Sequence, residues 1–165
     1  MTVCIICNIL HIIQTKNEDV LSAMPPQYGL FGLLFAFMNR LQTVGDAFYE
    51  EITCKQFFLL ACLNLYIDEE PTANELAESM GCSRQNVKQI LDSLCKKELL
   101  VLIKDNNDKR KQRIHRTKKC EKLAAKYLQK EQEFMQLLYD GVSEKEMKSV
   151  FKIISKMENN LKTRK

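Results

Sequence analysis

Two groups of side chains in this sequence have types and spacing suited to chemistry, and in both the chemistry is the binding of a polyanion. The first follows Ser83 in one short run: Arg84, Gln85, Asn86, Lys88 and Gln89. Their long amide, guanidinium and ammonium ends are the groups that reach base edges and phosphates in the major groove of a duplex. The second is Asn107, Asp108, Lys109, Arg110 and Lys111, a turn-forming and cationic stretch suited to a neighbouring backbone or minor groove. Both lie within residues 81–120, which hold twelve Lys and Arg against four Asp and Glu, a balance of +8 in a chain of net charge +4. The remainder therefore balances to −4, so charge is concentrated in one stretch. A basic block can be a solvated face, but it is also the electrostatic footprint of a phosphate-binding surface.

Other chemistries have weaker support. Cys4 and Cys7 with His11 could be imagined as soft zinc ligands, but their surroundings are almost wholly apolar and no complementary second pair follows. Buried small hydrophobes are the simpler reading, and no metal or cofactor is expected. Cys82 stands beside the start of the run Arg84–Gln89, where a helix N-terminus would stabilise a thiolate, so it is the candidate redox residue. Its position also suits a packed aliphatic side chain. No Gly-rich phosphate loop, nucleophile elbow or paired metal ligands on a helix occur, and His11 and His115 have no neighbours that suggest catalysis. An enzyme is not expected.

The elements that must position the basic groups can be read from periodicity. Thr72 caps a short helix with Leu76 and Ala77 inward, and Met80 and Gly81 break it, Gly being suited to a left-handed C-cap. Ser83 begins a second helix with Val87, Ile90, Leu91 and Leu94 on one side and Arg84, Gln85, Lys88, Gln89 and Asp92 on the other. Helix, Gly-containing turn and amphipathic helix make a helix-turn-helix. Leu99–Ile103 is β-prone, 104–111 supplies turn residues and charge, and Gln112–Thr117 alternates polar and apolar less cleanly, which together predict a hairpin with a basic tip.

Upstream, Thr53 caps a helix with Phe57, Leu60, Ala61 and Leu65 on its apolar side, ending in the acidic turn 68–71. From Gln27 a helix is predicted with Leu30, Leu34, Phe37, Met38, Leu41 and Val44 in register. Phe31 and Phe35 widen its stripe, which suggests burial on two sides. Val3–Ile13 fits a buried strand or a short helix equally, and Thr15 with Glu18 fits a capping box before a turn ending near Met24. Downstream, two helices are expected over 118–141 and 143–165, the second with a Ser143/Glu146 capping box and a stripe of Met147, Val150, Phe151, Ile154, Met157 and Leu161.

This order of elements resembles the MarR family, carried by Ala73–Ala77, Cys82–Val87, Leu94–Leu100, Asp105–Arg110 and Thr117. Asp105, Asp108, Lys109, Arg110 and Thr117 match the family's wing pattern; Asn106 stands where Pro is usual, Arg116 where Leu is, and Cys120 where Gly is. The resemblance, over about residues 27–165, implies a bacterial transcription regulator that dimerises through its first and last helices. It implies Arg110 as a minor-groove arginine oriented by Asp108, and regulation by small ligands or cysteine oxidation in many members. Phe35, Met38, Phe48, Tyr49, Phe57 and Phe58 could line an effector cavity, although such a stripe is more often core.

The expected fold is mainly α: a winged helix-turn-helix with a small β-hairpin wing and a helical dimerisation region. Residues 1–24 are expected to be an extension, 25–51 a dimerisation helix, 52–117 the DNA-binding domain and 118–165 the C-terminal dimerisation helices. The candidate DNA contacts are Thr72, Ser83, Arg84, Gln85, Asn86, Lys88, Gln89, Asn107, Asp108, Lys109, Arg110 and Lys111. The expected partners are double-stranded DNA and a second copy of the chain, with a small-molecule effector as a further candidate. The alternative is a winged-helix module for protein contacts. No transmembrane anchor is expected, since the apolar run Tyr28–Met38 is short of the roughly 18 residues a span needs. Seven cysteines at irregular spacing argue for reduced thiols, and the apolar start lacks a positive n-region, so a cytoplasmic protein is expected.

Overall fold

The computed structural model describes residue 21 and residues 23–67 and 70–162. The sequence readings at Val3–Ile13, at Cys4, Cys7 and His11, and at Thr15 and Glu18 lie outside these residues, as do the ends of the acidic turn at Asp68 and of the last helix beyond Lys162. The chain divides into two compact units, 1–90 and 91–165, with the dividing point inside one helix.

In the first unit, α1 runs Pro26–Phe48, entered through Pro25. The turn before it lies close against the helix, and a Cβ on Gly29 would run into the Leu21 carbonyl. Only Gly29 and Gly45 of α1 are buried, so the expected burial on two sides is not found among the described residues: Phe31 and Phe35 are both more than half exposed. Helix α2 is Cys54–Cys62, started by a full capping box in which Thr53 and Gln56 bond each other's backbone N–H. A 3-10 turn, Leu63–Leu65, follows it. The buried side of α2 is Leu59 and Cys62 with Gln56, whereas Leu65, expected inward, projects into solvent past the tightened turn.

Helix α3, Ala73–Ser79, begins with a second capping box, Thr72 with Glu75, and buries Leu76 and Ala77 as expected. Gly81 has φ +64°, the left-handed geometry that a side chain disfavours, and Cys82 N–H bonds back to the Ala77 carbonyl at 3.0 Å. Ser83 Oγ then accepts Asn86 N–H at 3.2 Å and starts α4, Arg84–Lys96.

The second unit takes up the end of α4. Leu99 N–H reaches the Leu94 carbonyl, and Glu98 sits at φ 59°, left-handed without being glycine. Strands β1, Leu100–Lys104, and β2, Gln112–Arg116, pair antiparallel with Leu100 opposite Arg116 and Lys104 opposite Gln112. Thr117 fastens the base of the hairpin: its N–H bonds the Leu99 carbonyl, its hydroxyl donates to Glu98 O at 2.7 Å, and it caps α5 by accepting Cys120 N–H.

Helix α5, Lys118–Leu138, buries Cys120, Leu123, Tyr127 and Phe134 along one stripe. Helix α6, Glu144–Lys162, starts with the expected Ser143/Glu146 box and buries nothing. Phe151 and Leu161 of its apolar stripe are 76% and 74% exposed. No helix among the described residues is long and apolar enough to cross a membrane.

A non-glycine residue in the left-handed region costs roughly 1–2 kcal/mol. The Thr117 bond to Glu98 is to a backbone carbonyl and survives substitution, and the Lys119 partner of the Glu98 carboxylate is on the surface, where such pairs contribute little. Glu98→Gly should therefore stabilise the chain by about 1 kcal/mol, less the greater freedom of glycine in the unfolded state. A urea midpoint that stays or falls would show that the backbone strain at Glu98 is no larger than the sum of its side-chain bonds and the added freedom of glycine in the unfolded state.

Candidate nucleic-acid interface

The first part of the candidate interface is the exposed side of α4. Val87 and Leu94 are fully buried, and Ile90 and Leu91 nearly so, at the three- and four-residue steps of one helical face. That burial fixes the rotation of the helix about its axis. Arg84, Gln85, Lys88 and Gln89 consequently lie in solvent, while Asn86 is half-buried behind the Ser83 cap. Ser83 and Thr72 serve first as helix caps, and Thr72 is further engaged, its N–H and hydroxyl both bonding the Glu75 carboxylate. The N-terminal turn of α4 carries no acidic residue, so nothing there offsets its cations.

The second part is the tip between β1 and β2. Asp108 accepts from Arg110 three times: from the backbone N–H at 3.1 Å, from Nε at 3.0 Å and from the terminal guanidinium nitrogen at 3.1 Å. The two-pronged pairing fixes the plane of a guanidinium that is 91% exposed, and it holds the Asp108 carboxyl below the usual carboxylate range. Lys109 and Lys111 are exposed beside it, as is Asn107.

Beneath the tip is a carboxylate that the sequence reading left out of the site. Asp105 is buried; its Oδ1 accepts the N–H groups of Asn107 and Asp108, both at 2.8 Å, and its Oδ2 takes Arg113 Nε at 2.6 Å. Its pKa is lowered to about 2, first by the Asp108 N–H bond and then by the Arg113 side chain. The Asp105–Asp108 spacing is the available sequence signal, since an Asp two or three residues before a turn commonly accepts its N–H groups.

Cys82, the candidate redox thiol, is half-buried in the turn before α4. Burial pushes the thiols of Cys54, Cys62, Cys95 and Cys120 up, which makes them poorer nucleophiles; for Cys62 the nearby Cys82 adds to the effect. Of the aromatic and Met residues considered for an effector cavity, Phe35, Met38 and Phe58 are exposed. Tyr49 is buried, stacked on Phe57 with centroids 4.6 Å apart and edge-on to Phe48, as packed core.

A two-strand hairpin following a capped helix-turn-helix defines a winged helix-turn-helix fold, here with a cationic outer face on α4. Residues 52–111, which span the helix-turn-helix and the wing tip, match the MarR family. An uncharacterized HTH-type transcriptional regulator of Bacillus subtilis (strain 168), YsmB, is 25% identical over 155 residues, covering 94% of this chain and 87% of that protein. Staphylococcus aureus MepR, solved as a DNA complex, superposes with TM-score 0.69 at 24% identity over 78% of this chain and 95% of MepR. Streptomyces coelicolor PcaV, solved with its natural ligand, gives TM-score 0.68 at 18% identity, covering 88% and 98% of the two chains.

The Asp105 bonds yield a pH expectation. Its native pKa is depressed from an unfolded value of about 3.9, so the bonds stabilise the folded wing fully above that pH and are lost as pH falls toward 2. In carboxyl-detected NMR, Asp105 should titrate near pH 2, with the Asn107 and Asp108 amides moving at the same midpoint. A midpoint near 4 would mean that the carboxylate is not held by those bonds.

Proposed function

We propose that the chain acts as a homodimer on pseudo-palindromic duplex DNA, with α4 in the major groove and the wing on the minor groove or backbone. The observation that carries the reading is α4 itself: one face sunk in the core, the other offering Arg84, Gln85, Lys88 and Gln89 from a capped N-terminus. Such a helix contacts base edges through its first residues, and a bidentate Arg contact to guanine discriminates by roughly 1–3 kcal/mol. Arg110 is placed at the tip of a hairpin, where a cation meets phosphate or a narrow groove and carries little sequence information.

The test is to select duplexes from a random pool with the purified chain, then titrate selected and scrambled duplexes at several salt concentrations. Arg84→Ala should flatten preference at one position in each half-site. Arg110→Ala should weaken both duplexes alike and make the slope of log affinity against log salt shallower by roughly 0.9 for each phosphate lost. Equal losses on both duplexes from both variants would overturn the division of labour. No binding by the parent would hand the fold to the protein-contact reading. Control by a small ligand or by Cys82 oxidation is part of the same proposal, and repeating the titration after mild peroxide on the parent and on Cys82→Ser reads the thiol. Equal responses would remove Cys82 as the sensor.

The dimer rests on α1 and α6, each of which leaves a broad apolar stripe in solvent within one chain. An isolated amphipathic helix of this length is marginal in water without something to cover it. Two recognition helices about 10 base pairs apart would give the operator its two-fold symmetry. Sedimentation of the parent at micromolar concentration should show a dimer, and Phe151→Glu with Ile154→Glu should shift it to monomer. A folded monomeric parent would overturn the assembly.

A further inference from the structure

Arg113 differs from every other cation of the hairpin. Lys104, Lys109, Arg110 and Lys111 are exposed, whereas the Arg113 side chain is only 15% exposed and the Asp105 carboxylate it meets is 7% exposed. The register explains the meeting: Arg113 lies opposite Ile103, and Asp105, two residues further along, is its diagonal neighbour on the same face. A guanidinium withdrawn in this way is poorly placed to neutralise a phosphate. Its bonds lead instead to the tip.

Arg113 Nε holds Asp105 Oδ2, and Asp105 Oδ1 holds the N–H groups of Asn107 and Asp108. The Asp108 carboxylate in turn holds the backbone and guanidinium of Arg110. Two backbone bonds close the loop, Asp105 N–H to Lys111 O at 3.1 Å and Lys111 N–H to Asp108 O at 2.8 Å. No proline lies within 105–111 to stiffen it, so side-chain bonds carry that task. An exposed Arg on a loose loop would lose much conformational freedom on binding; one on a pre-formed loop loses less.

We infer that Asp105 and Arg113 are positioning residues for DNA binding, a buried ion pair that fixes the wing tip and through it the direction of Arg110. The inference rests on the DNA-binding reading above and adds two residues to it that do not themselves touch DNA.

The discriminating variant is Asp105→Asn. It removes a negative charge from a DNA-facing element, so simple electrostatics expects tighter binding. Positioning expects the opposite: a loss of about tenfold on a duplex selected by the parent, since the asparagine no longer holds Arg113 as an ion pair. In an Arg110→Ala background the same substitution should cost less than about twofold, because the group being positioned is gone. Arg113→Gln should behave as Asp105→Asn does in both backgrounds. Thermal unfolding of each full-length variant reports whether the fold survives, and amide hydrogen exchange at Asn107, Asp108 and Arg110 reports whether the loop has loosened.

Tighter or unchanged binding by Asp105→Asn overturns the inference, as does a loss that is fully additive with Arg110→Ala. If the parent binds no duplex, the DNA-binding reading fails first. The exchange measurement then still decides whether the pair orders the tip: unaltered protection in both variants would overturn that too.

Discussion

A helix can offer one face to a partner with a defined direction only if its other face is held, and in this chain the burial of Val87, Ile90, Leu91 and Leu94 does the holding. Each fully buried aliphatic side chain contributes roughly 1.5–3 kcal/mol, so rolling α4 by even one residue would expose several of them at once. That penalty locks the azimuth of Arg84, Gln85, Lys88 and Gln89 far more firmly than any contact those side chains make themselves. The caps complete the arrangement. Gly81 reverses the chain after α3 and Ser83 restarts it, so that α4 begins with its first N–H groups and its first cations at the same end.

The wing solves a different problem, since a two-strand hairpin has almost no core. Ile114 is its one fully buried strand side chain beyond Leu100. Its order is carried by polar bonds: the Thr117 clamp at the base, and two carboxylates, each paired with one arginine, toward the tip. Asp105 and Asp108 lower the local net charge, which weakens attraction to phosphates at long range. Each stands opposite one arginine and fixes it, exchanging some long-range attraction for a guanidinium of defined plane. The buried pair has the geometry that such pairs need to offset desolvation, with both Asp105 oxygens occupied.

How much of this was legible in the sequence depends on the range of the signal. The caps at Thr53, Thr72, Ser83 and Ser143 each involve residues three apart, and all four form where expected. The amphipathic pattern of α4 and the hairpin strands emerged for the same reason. Asp105 and Arg113 are eight residues apart across a turn, and their meeting depends on a register that neither residue encodes. Glu98 gave no warning of a left-handed backbone, because the usual signal is a glycine and the compensating Thr117 bond comes from 19 residues away. At α2 the apolar spacing is ambiguous between two faces: Leu59 and Cys62 are buried rather than Leu60 and Ala61, and Leu65 is exposed where the helix tightens to a 3-10 turn at Leu63.

The largest departure, at α1, is of another kind. A stripe wide enough to include Phe31 and Phe35 reads as a helix covered on two sides, yet both rings stand in solvent, stacked edge-on with centroids 5.0 Å apart. Apolar width reports how much surface must be covered and says nothing of which chain covers it. The same holds for α6, where a stripe from Met147 to Leu161 contributes no buried residue. Exposed apolar surface on this scale exceeds the scattered hydrophobics a monomer normally tolerates. Both stripes lie on helices outside the helix-turn-helix and wing, so the surface proposed to face DNA and the surface proposed to meet a second copy are built from different elements. A surface can therefore be tuned for sequence at α4 without disturbing the apolar faces, and the apolar faces can change without altering which bases Arg84 would meet.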